Sequence, residues 1–348
     1  MRIAIVAHPH FPVPSLKYGG SENVTSSLIN GLVEKRHEPI LLGPGDSRVD
    51  CEVIPIIKRS KPYPKFRAYY PAYQLELRGV RKYTENVLRS ILPRIDIIHS
   101  MGFDLENFQE FPNITTLHNA IQFEDLDYFS SRKDFPYVSI SDNQRGSYPA
   151  LNYVRTVYNG LNPEEFPLNI KPQKYLSFLG RFEREKAPHL AIQLAINLGV
   201  KIKLAGKLDY HSGSYFREEI KPYINHPLVE YLGELDFTEK VKLLSNSMLN
   251  LHPLDWREPF GLTVIEAGYC GTPTLATKRG SMPEVIDEGK TGYLVEDFIE
   301  GAKLVDKCLS LDRSAVSKRV RAKFNYRKMT LRYLIAYKKV IKNYNNQR

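Results

Sequence analysis

Residues 248–266 read Met-Leu-Asn-Leu-His-Pro-Leu-Asp-Trp-Arg-Glu-Pro-Phe-Gly-Leu-Thr-Val-Ile-Glu. An apolar run opens the stretch, a loop with Pro253, Pro259 and Gly261 follows, and apolar residues then continue through Ala267 toward Gly271. This is the pattern of strand, loop and helix. Proline suits the first helical positions, where its missing N–H would have stayed unpaired, so Pro259 predicts a helix start. The amides of Phe260, Gly261, Leu262 and Thr263 are then the unpaired donors of that start, a site for an anion that the helix dipole strengthens. Glu258 stands just before the helix. Glu266 is expected about two turns in, where a carboxylate can accept hydrogen bonds from a diol. Taken alone, either glutamate fits as well an ordinary helix-terminal acid or an exposed helix residue.

The same alternation runs through the chain. Short apolar runs fall near 2–7, 38–42, 52–56, 95–99, 113–117, 136–140 and 154–158, and again near 175–180, 200–205, 228–232, 248–252, 273–277 and 292–295. Longer amphipathic segments separate them, which predicts repeated βα units and an α/β fold with parallel sheets. Between the two series lie Asn159-Gly160-Leu161-Asn162-Pro163, Pro167 and Pro172, residues that break any periodic element and mark a linker. A length of 348 residues agrees with two domains at roughly 150 residues each. The expected division is a first domain over 1–165, a second over 166–325, and a tail helix over 326–348 that returns to the first. Doubly wound sheets bind ligands at the carboxyl ends of their strands, so the two domains are expected to face a central cleft.

Composition narrows the function classes. With 42% hydrophobic and 25% charged residues the chain is globular, neither disordered nor fibrous. It has no apolar run of membrane-spanning length, and Met1-Arg2 leads directly into Ile3–Ala7 and His8-Pro9, unlike a signal peptide. Cys51, Cys270 and Cys308 are widely spaced and odd in number, which suggests neither a disulfide framework nor a zinc site; a cytoplasmic setting is expected. The net charge of +10 is uneven. Residues 58–94 hold ten basic residues against two acids, and 313–348 hold twelve against none, so the remainder is net acidic. That distribution argues against a nucleic-acid binder and suits local contact with an anionic membrane or substrate. Tyr63, Phe66, Tyr69, Tyr70, Tyr73 and Tyr83 within the first basic segment suit a lipid interface; a solvated basic loop and helix is the alternative.

Three further constellations sit at predicted strand ends. Gly180-Arg181-Phe182-Glu183-Arg184-Glu185-Lys186 follows the run 175–179 and places a guanidinium fork and an ammonium where a diphosphate would lie, unless its acids simply pair with its bases. Lys17-Tyr18-Gly19-Gly20-Ser21-Glu22 is a glycine loop whose amides can face phosphate, with Ser21 expected as N-cap. It lacks the G-x-G-x-x-G spacing of a dinucleotide site, and Gly43-Pro44-Gly45-Asp46 replaces the expected acid, which disfavours a nicotinamide-dependent dehydrogenase. Thr115-Thr116-Leu117-His118-Asn119 ends a strand on a histidine, and Ser139-Ile140-Ser141-Asp142 has the same form with Ser141 as a candidate N-cap.

In this order, Gly-Gly-Ser-Glu (19–22), Leu-His-Asn (117–119), Ser-Ile-Ser (139–141), Tyr-Asn-Gly-Leu-Asn (158–162), Gly-Arg-Phe-Glu-Arg-Glu-Lys (180–186), the two glutamates eight apart at 258 and 266, Gly-Ser-Met-Pro-Glu-Val-Ile (280–286) and Gly-Tyr-Leu-Val (292–295) resemble the retaining family 4 glycosyltransferases of GT-B fold. The resemblance implies two Rossmann-like domains and transfer of a hexose from a nucleotide diphosphate sugar to a glycan, lipid-linked or small-molecule acceptor. A UDP-sugar is preferred over GDP-mannose. It implies that Arg181 and Lys186, with Gly180 and the amides of Phe260 to Thr263, hold the donor diphosphate. Glu258 would contact sugar hydroxyls, Glu266 the ribose, and His118 the transferred sugar, while Gly19 and Gly20 line the phosphate and acceptor side. No cofactor or metal is expected, and retention would come from front-face attack. Two positions depart from the family pattern: Asn119 where Asp is frequent, and Ala187 where Gly is frequent. A sugar-nucleotide 2-epimerase on the same scaffold and a non-catalytic sugar-nucleotide-binding protein are the alternatives.

Overall fold

The computed structural model describes residues 1–17, 19–62, 69–103, 105, 108, 110–208 and 212–346. The chain forms two compact units, Met1–Leu161 with Tyr326–Arg348, and Asn162–Asn325. The division after Leu161 precedes the expected boundary because Asn162 caps a short turn over Pro163–Glu165, and the Phe166 ring that follows is buried against Phe237 and Tyr269 of the second unit.

The first unit is built on seven parallel strands: β1 (Arg2–Val6), β2 (Glu38–Pro44), β3 (Glu52–Ile57), β4 (Ile97–Ser100), β5 (Asn113–Leu117), β6 (Tyr137–Ser139) and β7 (Tyr153–Thr156), in the order β3-β2-β1-β4-β5-β6-β7. Helix α1 (Gly20–Glu34) follows β1, and α2 (Tyr70–Ile91) precedes β4. The second unit repeats the plan with six parallel strands, β8 (Leu176–Leu179), β9 (Ile202–Ala205), β10 (Val229–Tyr231), β11 (Leu249–His252), β12 (Thr274–Thr277) and β13 (Gly292–Val295), in the order β10-β9-β8-β11-β12-β13. Its relevant helices are α3 (Phe237–Asn246) and α4 (Leu262–Tyr269). Central strands covered on both faces must be apolar throughout, and Ile3, Ala4, Ile5 and Val6 are accordingly all fully buried. In each unit the strand order reverses once, between β1 and β4 and between β8 and β11. Loops leaving such neighbours diverge and open a crevice at the carboxyl edge. Both candidate sites lie at these two places.

Tyr326–Asn346 forms a tail helix that completes the first unit. Its apolar stripe buries Met329, Tyr333, Ala336 and Tyr337. A chain of hydrogen bonds fixes its register: the Tyr337 hydroxyl bonds His99 Nδ1 at 2.7 Å, His99 Nε2 bonds Thr116 Oγ1 at 2.8 Å, and Thr116 bonds the Tyr333 hydroxyl at 3.0 Å. Gly31 of α1 lets Thr330 approach, since a Cβ there would collide with its side chain, and Glu34 accepts from Arg327 and Tyr326. Burial pushes His99 down to about 3, so the ring is neutral and both nitrogens must be paired. Tyr337→Phe strands Nδ1 inside the unit and is expected to cost about 1–3 kcal/mol in denaturant unfolding. Tyr344→Phe, which removes an exposed bond to the Glu110 carbonyl, is expected to be near neutral.

Candidate functional site

In the second unit the loops leaving β8 and β11 meet. After β8, the Gly180 amide donates to the Ala205 carbonyl at 3.1 Å, and Gly206 must be glycine because a Cβ there would strike Gly180. Phe182 is fully buried, packed edge-on against Phe178, Phe216 and Tyr231, and its amide donates to the Lys207 carbonyl at 3.1 Å. The loop is thereby pinned on either side of Arg181. That guanidinium forms ion pairs with Glu183 at 2.8 Å and Glu185 at 3.9 Å, the local pairing that its sequence context left open. Ala187 follows in the left-handed region at φ 45°, ψ 46°, a conformation glycine takes at less cost.

Lys186 and Glu258 form an ion pair with side chains only 14% and 10% exposed. The Lys186 ammonium lies 4.8 Å over the Trp256 ring, whose Nε1–H donates to Glu258 Oε2 at 2.9 Å. Burial works to raise the Glu258 carboxyl, but the Lys186 charge, the His252 ring and these hydrogen bonds outweigh it and hold it below the ordinary range. Glu258's backbone is fixed too: Gly280, at φ 56°, lies where any Cβ would strike it, and the Ser281 amide donates to the Glu258 carbonyl at 2.9 Å. His252 ends β11 with Nε2 buried and without a hydrogen-bond partner; burial pushes the ring down to about 4. His252 and Trp256 were not singled out from the sequence. The signal for His252 was the one used for His118, a histidine closing an apolar run.

Helix α4 begins at Leu262, not at Pro259. Gly261 caps it at φ 87°, ψ 62°, and a Cβ on Gly261 would lie 2.6 Å from Met282 Cε and 3.6 Å from His252 Nε2. The left-handed cap needs glycine, and that requirement sets the start three residues later than proline suggested. The Val264 amide already bonds the Gly261 carbonyl at 3.1 Å. The amides of Gly261, Leu262 and Thr263 donate to no acceptor among the described residues. Phe260 itself is a core side chain against Phe324. Glu266 sits just past the first turn rather than two turns in, and it is buried, not exposed, with Oε1 accepting from Lys240 of α3 at 2.6 Å.

In the first unit, Gly19 is the N-cap of α1 at φ 151°, and Gly20 is its first residue. Ser21, expected as the cap, lies inside the helix and donates to Glu22 Oε2 at 2.9 Å. Glu22 is buried, and burial pushes its carboxyl up to about 6. Ser141 does cap its helix, accepting from the Gln144 amide at 3.1 Å. His118 follows β5 with Nε2 buried and unpartnered among the described residues, and burial, with a smaller contribution from His8, pushes it down to about 3. The site residues thus fall into two sets. Gly180, Arg181, Lys186, Glu258, Phe260 to Thr263 and Glu266 belong to the second unit, and Gly19, Gly20 and His118 to the first. Among the described residues no group of three or more His, Cys, Asp or Glu side chains is placed to hold a metal ion, and no helix is long and apolar enough to cross a membrane.

Residues 163–329 match the family described as glycosyl transferases group 1, a span that covers nearly the whole second unit. The chain is 23% identical over 335 residues to Spore coat protein SA of Bacillus subtilis (strain 168), covering 86% of each. It is 30% identical over 197 residues to the D-inositol 3-phosphate glycosyltransferase of Mycobacterium bovis (strain BCG / Pasteur 1173P2), 51% of this chain but only 39% of that one. Among solved structures, the sucrose-phosphate synthase of Thermosynechococcus elongatus superposes with a TM-score of 0.79 at 17% identity, over 98% of this chain and 99% of that. HepE of Anabaena in complex with UDP-glucose superposes at 0.67 and 15%, over 99% and 100%. The chain has the GT-B fold of two Rossmann-like units. It resembles the group 1 glycosyltransferases, and sugar transfer is the activity class that this resemblance supports.

The depressed histidines predict acid sensitivity. His8 and His252 are pushed down to about 4, and His99 and His118 to about 3, in each case chiefly by burial. Unfolded rings titrate near pH 6.5, so as pH falls the unfolded chain takes up protons that the folded chain does not. This contribution is fully present above about pH 6.5 and is lost progressively toward the folded values. Burial also lowers His37 and His189, and Glu22 works in the opposite sense, one group against six. Melting temperature is expected to fall between about pH 7 and pH 5, before most carboxylates titrate; a flat profile there would show the rings protonated in the folded state.

Proposed function

We propose that the chain transfers a hexose from a nucleotide diphosphate sugar with retention of configuration, with UDP-glucose the preferred donor. The carrying observation is the Lys186–Glu258 pair beside the start of α4, where the amides of Gly261, Leu262 and Thr263 lack acceptors among the described residues. Departure of a nucleoside diphosphate from the anomeric carbon builds negative charge on phosphate, which preorganised cations and N–H donors stabilise. Lys186 and Arg181 supply charge-assisted hydrogen bonds of about 1.5–3 kcal/mol each, against roughly 0.3–2 kcal/mol from the helix terminus. Both cations are paired with carboxylates, so a diphosphate enters by exchange. Lys186 passes from Glu258 to phosphate, and the released carboxylate is left to accept hydroxyls of the sugar. His252 adds a neutral ring beside the helix start. Glu266, held by Lys240, is preset to accept from the ribose. HepE, solved with UDP-glucose, supports the choice of nucleotide.

Lys186→Ala is expected to lower transfer and donor hydrolysis by orders of magnitude. It also strands a buried Glu258, at a cost of about 3–5 kcal/mol, so rates are compared with those of Lys186→Ala/Glu258→Gln, which restores the melting temperature without restoring turnover. Near-normal turnover in either variant would overturn the assignment. Incubation with donor alone separates the neighbouring activity, since a 2-epimerised sugar nucleotide as product would make the chain an epimerase.

The acceptor reading rests on α2. Its outer face exposes Leu75 (69%), Tyr83 (52%), Arg78 and Lys82, an apolar and basic mixture suited to an anionic lipid surface. The basic excess is narrower than the sequence suggested. Tyr73 points inward and is buried, Tyr63, Lys65, Phe66 and Arg67 lie outside the described residues, and five of the twelve tail cations, Arg313, Lys318, Arg319, Arg321 and Lys323, belong to the second unit. Arg313 is buried there, donating to the carbonyls of Asn169, Ser245 and Ser247. Anionic vesicles are expected to sediment the protein at low salt, and Arg78→Glu/Lys82→Glu to abolish this. Failure of the unmodified chain to bind removes the lipid-presented acceptor.

A further inference from the structure

At the carboxyl edge of the first sheet, where β1, β4 and β5 end side by side, the chain places more imidazole than His118 alone. His8 follows β1 and His118 follows β5, with Gly102, after β4, between them. Gly102 lies at φ 84°, and a Cβ there would sit 3.2 Å from His8 Nε2 and 3.8 Å from His118 Cδ2. His8 is held in place by stacking on His10 at 5.3 Å and 13°, by the edge of Phe103 at 5.8 Å, and by a hydrogen bond to the Gly102 backbone. His10 is anchored in turn to the Tyr73 hydroxyl of α2. His10, Phe103 and His99 are buried, whereas His8 and His118 are only half-buried and reach the surface of the unit. One observation points to a ligand: His118 Nε2 is itself buried with no hydrogen-bond partner among the described residues, a state that costs about 1–3 kcal/mol unless a bound molecule supplies the partner.

We propose that His8 is a second substrate-binding residue, forming with His118 a pair of imidazoles that holds hydroxyl groups of the acceptor. This rests on the reading of the chain as a sugar transferase. The chemistry follows from what surrounds the pair. Among the described residues, the titratable groups that interact with His118 are the rings of His8 and His99, and the group acting on His8 is the Gly102 backbone. Both rings are neutral; His8 spends its N–H on the Gly102 backbone and keeps a lone pair, while His118 Nε2 is the nitrogen open to a hydroxyl. Such a pair matches the donor and acceptor faces of a polyhydroxyl ring. It offers no cation to offset the desolvation of a phosphate, so a phosphate ester bound through its charge is disfavoured here.

Imidazole Cε1–H NMR of the full chain tests this, with glucose and glucose 6-phosphate as probes. Glucose is expected to shift the His8 and His118 signals, to leave those of His99 and His252 in place, and to do so at least as strongly as glucose 6-phosphate. His8→Gln is expected to remove the glucose response of His118. His8→Phe, which keeps the stack on His10, guards against simple loss of structure, and it is expected to do the same while the His99 signal persists. Unmoved rings, a response retained in both variants, or binding of glucose 6-phosphate more than about tenfold tighter than glucose would overturn the proposal. Donor hydrolysis in water needs no acceptor and keeps the two readings apart. Hydrolysis with unmoved rings sinks the pair alone, whereas shifted rings without hydrolysis of any nucleotide sugar keep the hydroxyl site and sink the transferase.

Discussion

A buried imidazole has two nitrogens to satisfy, and at His99 this requirement ties distant parts of the chain together. One nitrogen is met by Thr116 on the neighbouring strand and the other by Tyr337, more than two hundred residues later. The tail helix is therefore part of the first sheet's hydrogen-bond accounting and not a cover laid over it. Tyr333 closes the chain by bonding Thr116, and Gly31 gives the helix room to approach α1. The strand ends that carry His8, Gly102 and His118 are aligned by β1, β4 and β5, so the geometry of the candidate acceptor side depends on the same contacts.

The second unit shows a comparable economy at its own reversal of strand order. Glu258 is oriented by Lys186, Trp256, Gly280 and Ser281, and each of these comes from a different part of the loops that leave β8, β11 and β12. The pair is electrically neutral and largely withdrawn from water, and the attraction between its charges offsets part of their desolvation. It also gives the site a built-in exchange partner: the carboxylate that shields the ammonium is the one left to meet the sugar.

Apolar alternation was enough to place the strands of both sheets within a few residues, because parallel strands covered on both faces leave a nearly continuous hydrophobic trace. The ordered glycines, prolines and charged residues carried the resemblance to the GT-B enzymes. What the sequence did not carry were partnerships made at a distance. Lys186 and Glu258 are separated by 72 residues, Lys240 and Glu266 by 26, and neither pair follows any local spacing rule. The start of α4 was misplaced because a left-handed glycine cap overrode the preference of proline. Ser21 lost the capping role because the cap there is backbone geometry at Gly19 and not a side-chain bond. Part of the basic excess is likewise spent inside the second unit, where Arg313, Arg319 and Lys323 donate to its carbonyls and acids.

The split composition of the first unit bears on how the chain is made. A ribosome delivers domains from the amino end and ordinarily lets the first fold before the next emerges. Here residues 162–325 form a self-contained body, whereas the sheet that begins at Arg2 waits for Tyr333 and Tyr337. Translation order and completion order are consequently inverted. Without the tail helix His99 keeps Thr116 but lacks Tyr337, and the surface that Met329, Tyr333, Ala336 and Tyr337 pack on is left open, so a premature stop in the tail is expected to damage the first unit and spare the second.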